Sequence, residues 1–219
     1  MEASAQLSSG ERADADWRFA VIDLETTGLE PGADRVIECA IVEVDARGAV
    51  LDEFSTLIAI PGEDEPGAQF VHGISRPMLD GAPTFGAIAD QIIARLVGRI
   101  VVGHVVAFDL AHLAAEFARL AVRMPDLGAA SLCTRELMLA SVAEGSRSLR
   151  GCCARAGITV AHAHTALGDA RTTARLMGWA LANADGIDLE ARANAARQPW
   201  PTGPSVTQAT LRPRALSPD

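Results

Sequence analysis

The sequence predicts an α/β fold on two observations. Three apolar, β-branched segments follow one another at 18–24, 36–44 and 51–60, and from residue 84 onward helical and strand periods alternate. Residues 1–16 are small, polar and acidic without periodicity, which predicts a disordered lead-in. The second strand carries Arg35-Val36-Ile37-Glu38-Cys39-Ala40-Ile41-Val42, too apolar for a solvent-washed face; its Glu38 fits either a place beside other buried carboxylates or a surface strand edge. A loop over 61–83 is long enough to be functional and carries Val71-His72-Gly73-Ile74-Ser75. Phe85, Ile88, Ile92, Ile93 and Leu96 then recur at helical spacing between Pro83 and Gly98, predicting a helix lying on a sheet. Residues 100–106 read as a buried strand and 108–120 as a second helix marked by Phe108, Leu110, Leu113, Phe117 and Leu120, so at least one crossover is parallel. Two short helices are expected over 135–143 and 148–156, and a longer one over 165–182 with Leu167, Ala170, Ala174, Met177 and Leu181 on its inner stripe. After Asp185 the pattern dissolves into Ala, Arg and Pro, including Pro199-Trp200-Pro201 and Arg212-Pro213-Arg214. The expected organisation is a lead-in (1–16), one domain (17–182) and a tail (183–219) that packs loosely or binds a partner and holds no second catalytic domain.

With 219 residues, the chain is long enough for one sizeable core. No run approaches the about twenty apolar residues of a membrane span, and the N-terminus lacks a basic segment followed by an apolar one, so a cytoplasmic protein with no membrane partner is expected. The four cysteines, Cys39, Cys133, Cys152 and Cys153, form no Cys-x-x-Cys pair and read as reduced core thiols. A net charge of −9 argues against a protein that coats long stretches of nucleic acid. It leaves room for an enzyme gripping a strand end, because metal ions at a carboxylate cluster supply positive charge locally. The chain has no lysine, which excludes a P-loop.

The residues that point to chemistry begin with Asp23-Leu24-Glu25-Thr26-Thr27-Gly28, directly behind the apolar run Phe19-Ala20-Val21-Ile22. Strand alternation projects Asp23 and Glu25 from the same face. Two carboxylates so placed repel each other, and hard divalent cations with oxygen ligands offset that repulsion; the bland alternative is a strand that ends in a polar turn. Asp109 follows Gly103-His104-Val105-Val106-Ala107-Phe108 at the junction of a strand and a helix, where sites gather in α/β sheets, although an aspartate there also serves as a helix cap. In His164-Thr165-Ala166-Leu167-Gly168-Asp169, five residues separate histidine from aspartate, so the two do not share a helix face. His164 then sits in the entering loop while Asp169 projects from the first turns, an arrangement suited to a mobile base beside a fixed metal ligand. The alternatives are solvated histidines at 162 and 164 and an aspartate serving the helix dipole.

Together the four segments resemble the DnaQ-like DEDDh family of 3′-to-5′ exonucleases: Asp23-x-Glu25-Thr26-Thr27-Gly28 its first motif, Phe108-Asp109 its second, His164-x4-Asp169 its third, with Val71-His72-Gly73-Ile74 like a segment that approaches substrate. The resemblance covers about residues 17–182. It implies an RNase H-like mixed sheet, three antiparallel N-terminal strands followed by parallel crossovers, flanked by helices. It further implies two divalent metal ions, Mg²⁺ or Mn²⁺, held by Asp23, Glu25, Asp109 and Asp169, with Asp23 bridging and His164 as the base. Backbone around Leu24, Thr26 and Thr27 would meet the terminal nucleotide, His72 and Phe108 would line its pocket, and nucleoside 5′-monophosphates would be released. The wording of the motifs resembles the DNA polymerase III epsilon-like branch, so the expected substrate is the 3′ end of single-stranded DNA, in a proofreading or repair role. RNA 3′ ends are the alternative, and a second alternative is a module that docks a polymerase or repair protein through the tail. A phosphatase with Asp23 as nucleophile is disfavoured by Glu25 and by the missing lysine. Two departures stand out: Val105 follows His104 where the family often has asparagine, and Cys133-Thr134 stands where many members have Asp-Thr.

Overall fold

The three apolar N-terminal segments pair in the order in which they occur. In the computed structural model, which describes residues 17–62, 64–141, 145–161, 164–183, 186–200 and 213–214, β1 (Arg18–Thr26) runs antiparallel to β2 (Val36–Asp45) and β2 antiparallel to β3 (Val50–Leu57). β4 (Ile100–Gly103) then joins the other edge of β1 in parallel, and β5 (Ser131–Cys133) extends the sheet beside β4, also in parallel. The order is β3-β2-β1-β4-β5, a mixed RNase H-like sheet flanked by helices, as the motifs implied. The expected lead-in (1–16) lies outside the described residues.

Burial on both faces explains the near-continuous apolar strands. Ala20, Ile22 and Leu24 of β1 pack with Cys39 and Ile41 of β2 against two helices, α3 (Phe85–Leu96) and α4 (Val106–Arg119). The alternate residues Phe19 and Val21, with Ala40 and Val42, face α7 (Ala166–Asn183). Parity therefore decides where the carboxylates go: Asp23 and Glu25 continue the series of Phe19 and Val21, toward the α7 side. Glu38 lies on the same side of β2 and is the direct cross-strand partner of Glu25.

Several expectations are refined. The loop over 61–83 contains two short helices, α1 (Gln69–His72) and α2 (Arg76–Leu79). The third strand stops at Leu57 instead of 60, and Ala59 bridges to Thr84. The fourth ends at Gly103, not 106, because Val105 turns left-handed (φ 78°) and the chain enters α4 at Val106. β5 was not anticipated, since three residues are too few to show a period; only its pairing with β4 reveals it. α5 (Thr134–Ser141) and α6 (Leu149–Arg155) match the two short helices, with 142–143 outside the described residues; Ser148 caps α6 by accepting the Gly151 N–H. The expected loose tail is corrected over α8 (Leu189–Ala196): Leu189 and Ala196 are buried, and Ala196 carbonyl accepts the Gly98 N–H. Trp200 packs edge-on against Phe117, 5.8 Å between ring centroids. All four cysteines are free and buried. Among the described residues no helix is long and apolar enough to cross a membrane.

Val105 is the β-branched one of three non-glycine residues with positive φ among the described residues, with Ala121 and His164. A β-branched residue in the left-handed region is sterically disfavoured, and at this helix start it makes no side-chain cap hydrogen bond. Asparagine tolerates that backbone and can accept a helix N–H. Val105→Asn is therefore expected to stabilise the fold by about 1 kcal/mol, a rise of roughly 2–4 °C in Tm by scanning calorimetry; a lowered Tm would count against the strain.

Candidate active site

Three elements converge on the C-terminal end of β1. Oxygen atoms of Asp23, Glu25 and Asp169 lie within 4.8 Å of one another. Two come from alternate positions of β1 and the third from the first turn of α7, which lies across that face. Asp109, in the first turn of α4, reaches the same strand end from the opposite layer and is held there by the backbone N–H of Leu24. Asp109 stands outside the group of three, though its charge acts on Asp23. His164 occupies the loop entering α7 with φ 64°, and its backbone N–H donates to Asp169 Oδ2 at 3.1 Å. The sequence-derived pairing of an entering-loop histidine with a first-turn aspartate is thus what the chain adopts.

The turn after β1 is held by its own polar groups. Thr26 Oγ1 donates to the Gly28 carbonyl at 2.7 Å. Thr27 Oγ1 donates to Asp34 Oδ1 at 2.9 Å and accepts the Arg35 N–H at 3.0 Å. Both threonine hydroxyl protons are thereby engaged within the turn. A Cβ on Gly28 would lie 2.5 Å from the Asp34 carboxylate, so a side chain there would have to displace the group that accepts from Thr27. Gly67 (φ 78°) packs straight onto the Thr27 carbonyl, 1.7 Å from where a Cβ would stand, and this presses the 66–73 segment against the turn. Arg35 and Glu116 form a bidentate pair at 2.8 and 3.0 Å that ties the start of β2 to α4.

Of the residues expected around a ligand pocket, Leu24 has its side chain in the core. His72 is buried in α1, with Nδ1 accepting the Ile74 N–H at 3.0 Å, and burial pushes its pKa down. Phe108 is half-buried, its ring 4.2 Å from that of His112, whose Nδ1–H donates to the Phe108 carbonyl. His104 is turned elsewhere, bonded to Thr134 Oγ1 and to the Arg147 carbonyl, both at 3.0 Å.

Two neighbours were not assigned a place in the site from sequence. Glu38 is fully buried: Oε2 accepts the N–H of Ala166, the first residue of α7, at 3.1 Å, so a β2 side chain caps the helix that carries Asp169. The surface-edge reading of Glu38 is thereby set aside. Arg214 lies 3.5 Å from Glu38 Oε2 and donates to the His164 carbonyl at 3.2 Å. Glu38 was legible as a carboxylate in an apolar strand; Arg214 sits among prolines and arginines with no pattern to single it out.

These groups make a strongly acidic cluster in which Glu38 and Asp109 are buried and Asp23, Glu25 and Asp169 half-buried. Desolvation raises Asp23 well above the ordinary carboxylate range, with Asp109, Asp169, Glu25 and Glu38 adding to it. Glu25 is pushed up to about 8 by desolvation and then by Glu38 and Asp169, against Arg214. Asp109 reaches about 8, mainly by desolvation. Asp169 and Glu38 are raised too, again first by desolvation. Such a donor set, all hard oxygen and short of positive charge, suits a divalent cation of the Mg²⁺ or Mn²⁺ type. A carboxyl whose folded pKa is raised binds more protons folded than unfolded, so its stabilising contribution is present below the ordinary carboxylate pKa and is lost as pH rises through the folded value. Cations bind the deprotonated form. The gain in Tm on adding Mn²⁺ in place of EDTA is therefore expected to grow from about pH 5 to pH 8 and to vanish in Glu25→Gln; an equal gain at both pH values would contradict the assignment.

Comparison with known proteins agrees with this geometry. The RNase_T exonuclease family model matches residues 20–177. The Staphylococcus aureus protein named 3′-5′ exonuclease DinG is 31% identical over 173 residues, 78% of this chain and 19% of that protein. The chain thus spans about a fifth of the length of the curated relatives it matches. Among solved structures, Escherichia coli Exonuclease I in complex with a dT13 oligonucleotide superposes with a TM-score of 0.65 at 20% identity, over 74% of this chain and 40% of that one. The nuclease domain of 3′hExo, a DEDDh family member bound to rAMP, superposes with a TM-score of 0.66 at 16% identity, over 77% and 94%; at these identities the likeness is one of fold. The family match, the relatives and the converging carboxylates agree: the chain belongs to the RNase_T family of exonucleases, as a DnaQ-like member.

Proposed function

We propose that the chain hydrolyses phosphodiester bonds one nucleotide at a time from the 3′ end of single-stranded DNA, releasing nucleoside 5′-monophosphates. The observation that carries this reading is the set of Asp23, Glu25 and Asp169 oxygens within 4.8 Å, beside His164, in a chain of an exonuclease family. In this reading Asp23, Glu25, Asp109 and Asp169 would hold two divalent ions, whose chemistry there would be activation of the attacking water and stabilisation of the leaving 3′ oxygen.

The remaining work falls to the protein's own groups. His164 takes the proton from the attacking water at its imidazole, a role that suits a side chain on a loop fixed at one end by the bond to Asp169. Backbone around Leu24, Thr26 and Thr27 meets the terminal nucleotide, consistent with threonine hydroxyls already engaged in the turn. His72 and Phe108 line the pocket, the first locked by the Ile74 N–H and the second braced by His112. A terminal nucleotide has to leave its stack to enter such a pocket, which favours unpaired ends. The wording of the motifs supports DNA; the similar solved structures carry a dT13 oligonucleotide in one case and rAMP in another, and RNA ends are the other arm of the test.

Incubation with 5′-labelled single-stranded DNA and RNA in Mn²⁺, Mg²⁺ or EDTA tests the reading. A ladder shrinking from the 3′ end of DNA, absent in EDTA, is expected. Asp23→Ala should abolish it, and His164→Ala should slow it by about 10²–10⁴-fold. Full activity in Asp23→Ala would sink the metal assignment, and no shortening of either strand would overturn the exonuclease reading in favour of a docking role.

A further inference from the structure

The chain has six phenylalanines and no tyrosine. Phe19, Phe54, Phe85 and Phe117 lie in the core, and Phe108 is half-buried against His112. Phe70 is 94% exposed, more than any other large apolar side chain among the described residues. A protein that spends its few aromatics so strictly on packing leaves this ring in water on the segment that borders the acidic pocket. Phe70 belongs to α1 and precedes buried His72 by two residues. At about 100° per residue the two side chains leave opposite sides of the helix, so His72 faces the protein while Phe70 stands on the outer rim.

The backbone beneath Phe70 is fixed from both ends. Gly67 is pressed onto the Thr27 carbonyl, and Gly73 abuts the Arg214 guanidinium that bonds to His164 and pairs with Glu38. The short stretch of backbone that carries the ring is therefore anchored to the turn after β1 at one end and beside Arg214 at the other. Val71, 46% exposed, continues the apolar surface next to the ring.

We propose that Phe70 is a substrate-binding residue, a stacking platform for a base upstream of the 3′-terminal nucleotide. The inference rests on the exonuclease reading above and extends it from the terminal pocket to the strand behind it. Two physical points favour a base as the occupant. A net charge of −9 leaves little attraction for phosphates along the strand, so affinity has to come from contacts that do not need positive charge. A phenyl face meets that need for any sequence, because every base has a π-face, as an enzyme that removes nucleotides in succession requires.

The test uses the full chain with Phe70→Ala and Phe70→Trp and two substrates: a short single-stranded oligonucleotide, and the p-nitrophenyl ester of thymidine 5′-monophosphate, which has no upstream base. Phe70→Ala should raise KM for the oligonucleotide about five- to hundred-fold, the loss that removing one base–aromatic stack produces, with kcat unchanged. Hydrolysis of the ester should not change, and Phe70→Trp should restore wild-type KM. An oligonucleotide abasic at the stacked position should bind wild type and Phe70→Ala equally. Equal KM values for the intact oligonucleotide, or equal losses on oligonucleotide and ester, would overturn the platform and leave Phe70 to a protein partner or to packing of α1. Wild-type protein that hydrolyses neither substrate would instead bring down the exonuclease reading itself, which separates the two failures.

Discussion

Repulsion among like charges at the end of β1 is the constraint on which the rest of the structure depends. Asp23, Glu25, Glu38, Asp109 and Asp169 are gathered where a two-faced apolar sheet gives them little water. The chain offsets this with directed dipoles: the Leu24 N–H on Asp109, the His164 N–H on Asp169 and the Ala166 N–H on Glu38. Arg214 adds the positive charge that lowers Glu25 and Glu38. These partners moderate the cluster without neutralising it, and Glu25 and Asp109 still come to about 8. The residual demand for positive charge is a property of the folded chain, and it is one that a proton or a divalent cation can meet.

The scaffold meets that constraint by placing acids on elements that cannot move independently. Asp23 and Glu25 belong to the central strand, paired on both sides. Asp109 and Asp169 belong to the first turns of helices on opposite layers, where a partial positive charge at the helix start favours a carboxylate. Glu38 ties the α7 layer to β2, while the Arg35–Glu116 pair ties the start of β2 to α4. The result is a site whose geometry is set by packed core, with His164 alone on an exposed loop.

Much of this was legible because the signals were local. Alternation in 18–26 decides which face Asp23 and Glu25 occupy, and the five-residue spacing from His164 to Asp169 decides which of them is in the loop. What escaped was what depends on partners far along the chain. Ser131–Cys133 is a strand only because β4 lies beside it. Leu189–Ala196 is an alanine-rich helix with a weak apolar stripe, and it is its place against β4 and Ser131 that makes it part of the domain. The role of Glu38 rests on a bond spanning 128 residues and that of Arg214 on one spanning 50, and no periodicity records either.

The separation of the four carboxylates along the chain, from residue 23 to residue 169, also bears on synthesis. Each further carboxylate arrives with a new crossover, after β4 for Asp109 and after α6 for Asp169. A nascent chain therefore carries only the β1 pair until α4 emerges, and lacks the complete set until the ribosome has passed α7. Contacts of such long range form late in folding. Timing alone thus keeps the acidic centre incomplete until α7 has been made, so a cation site built from these four carboxylates would report a finished fold.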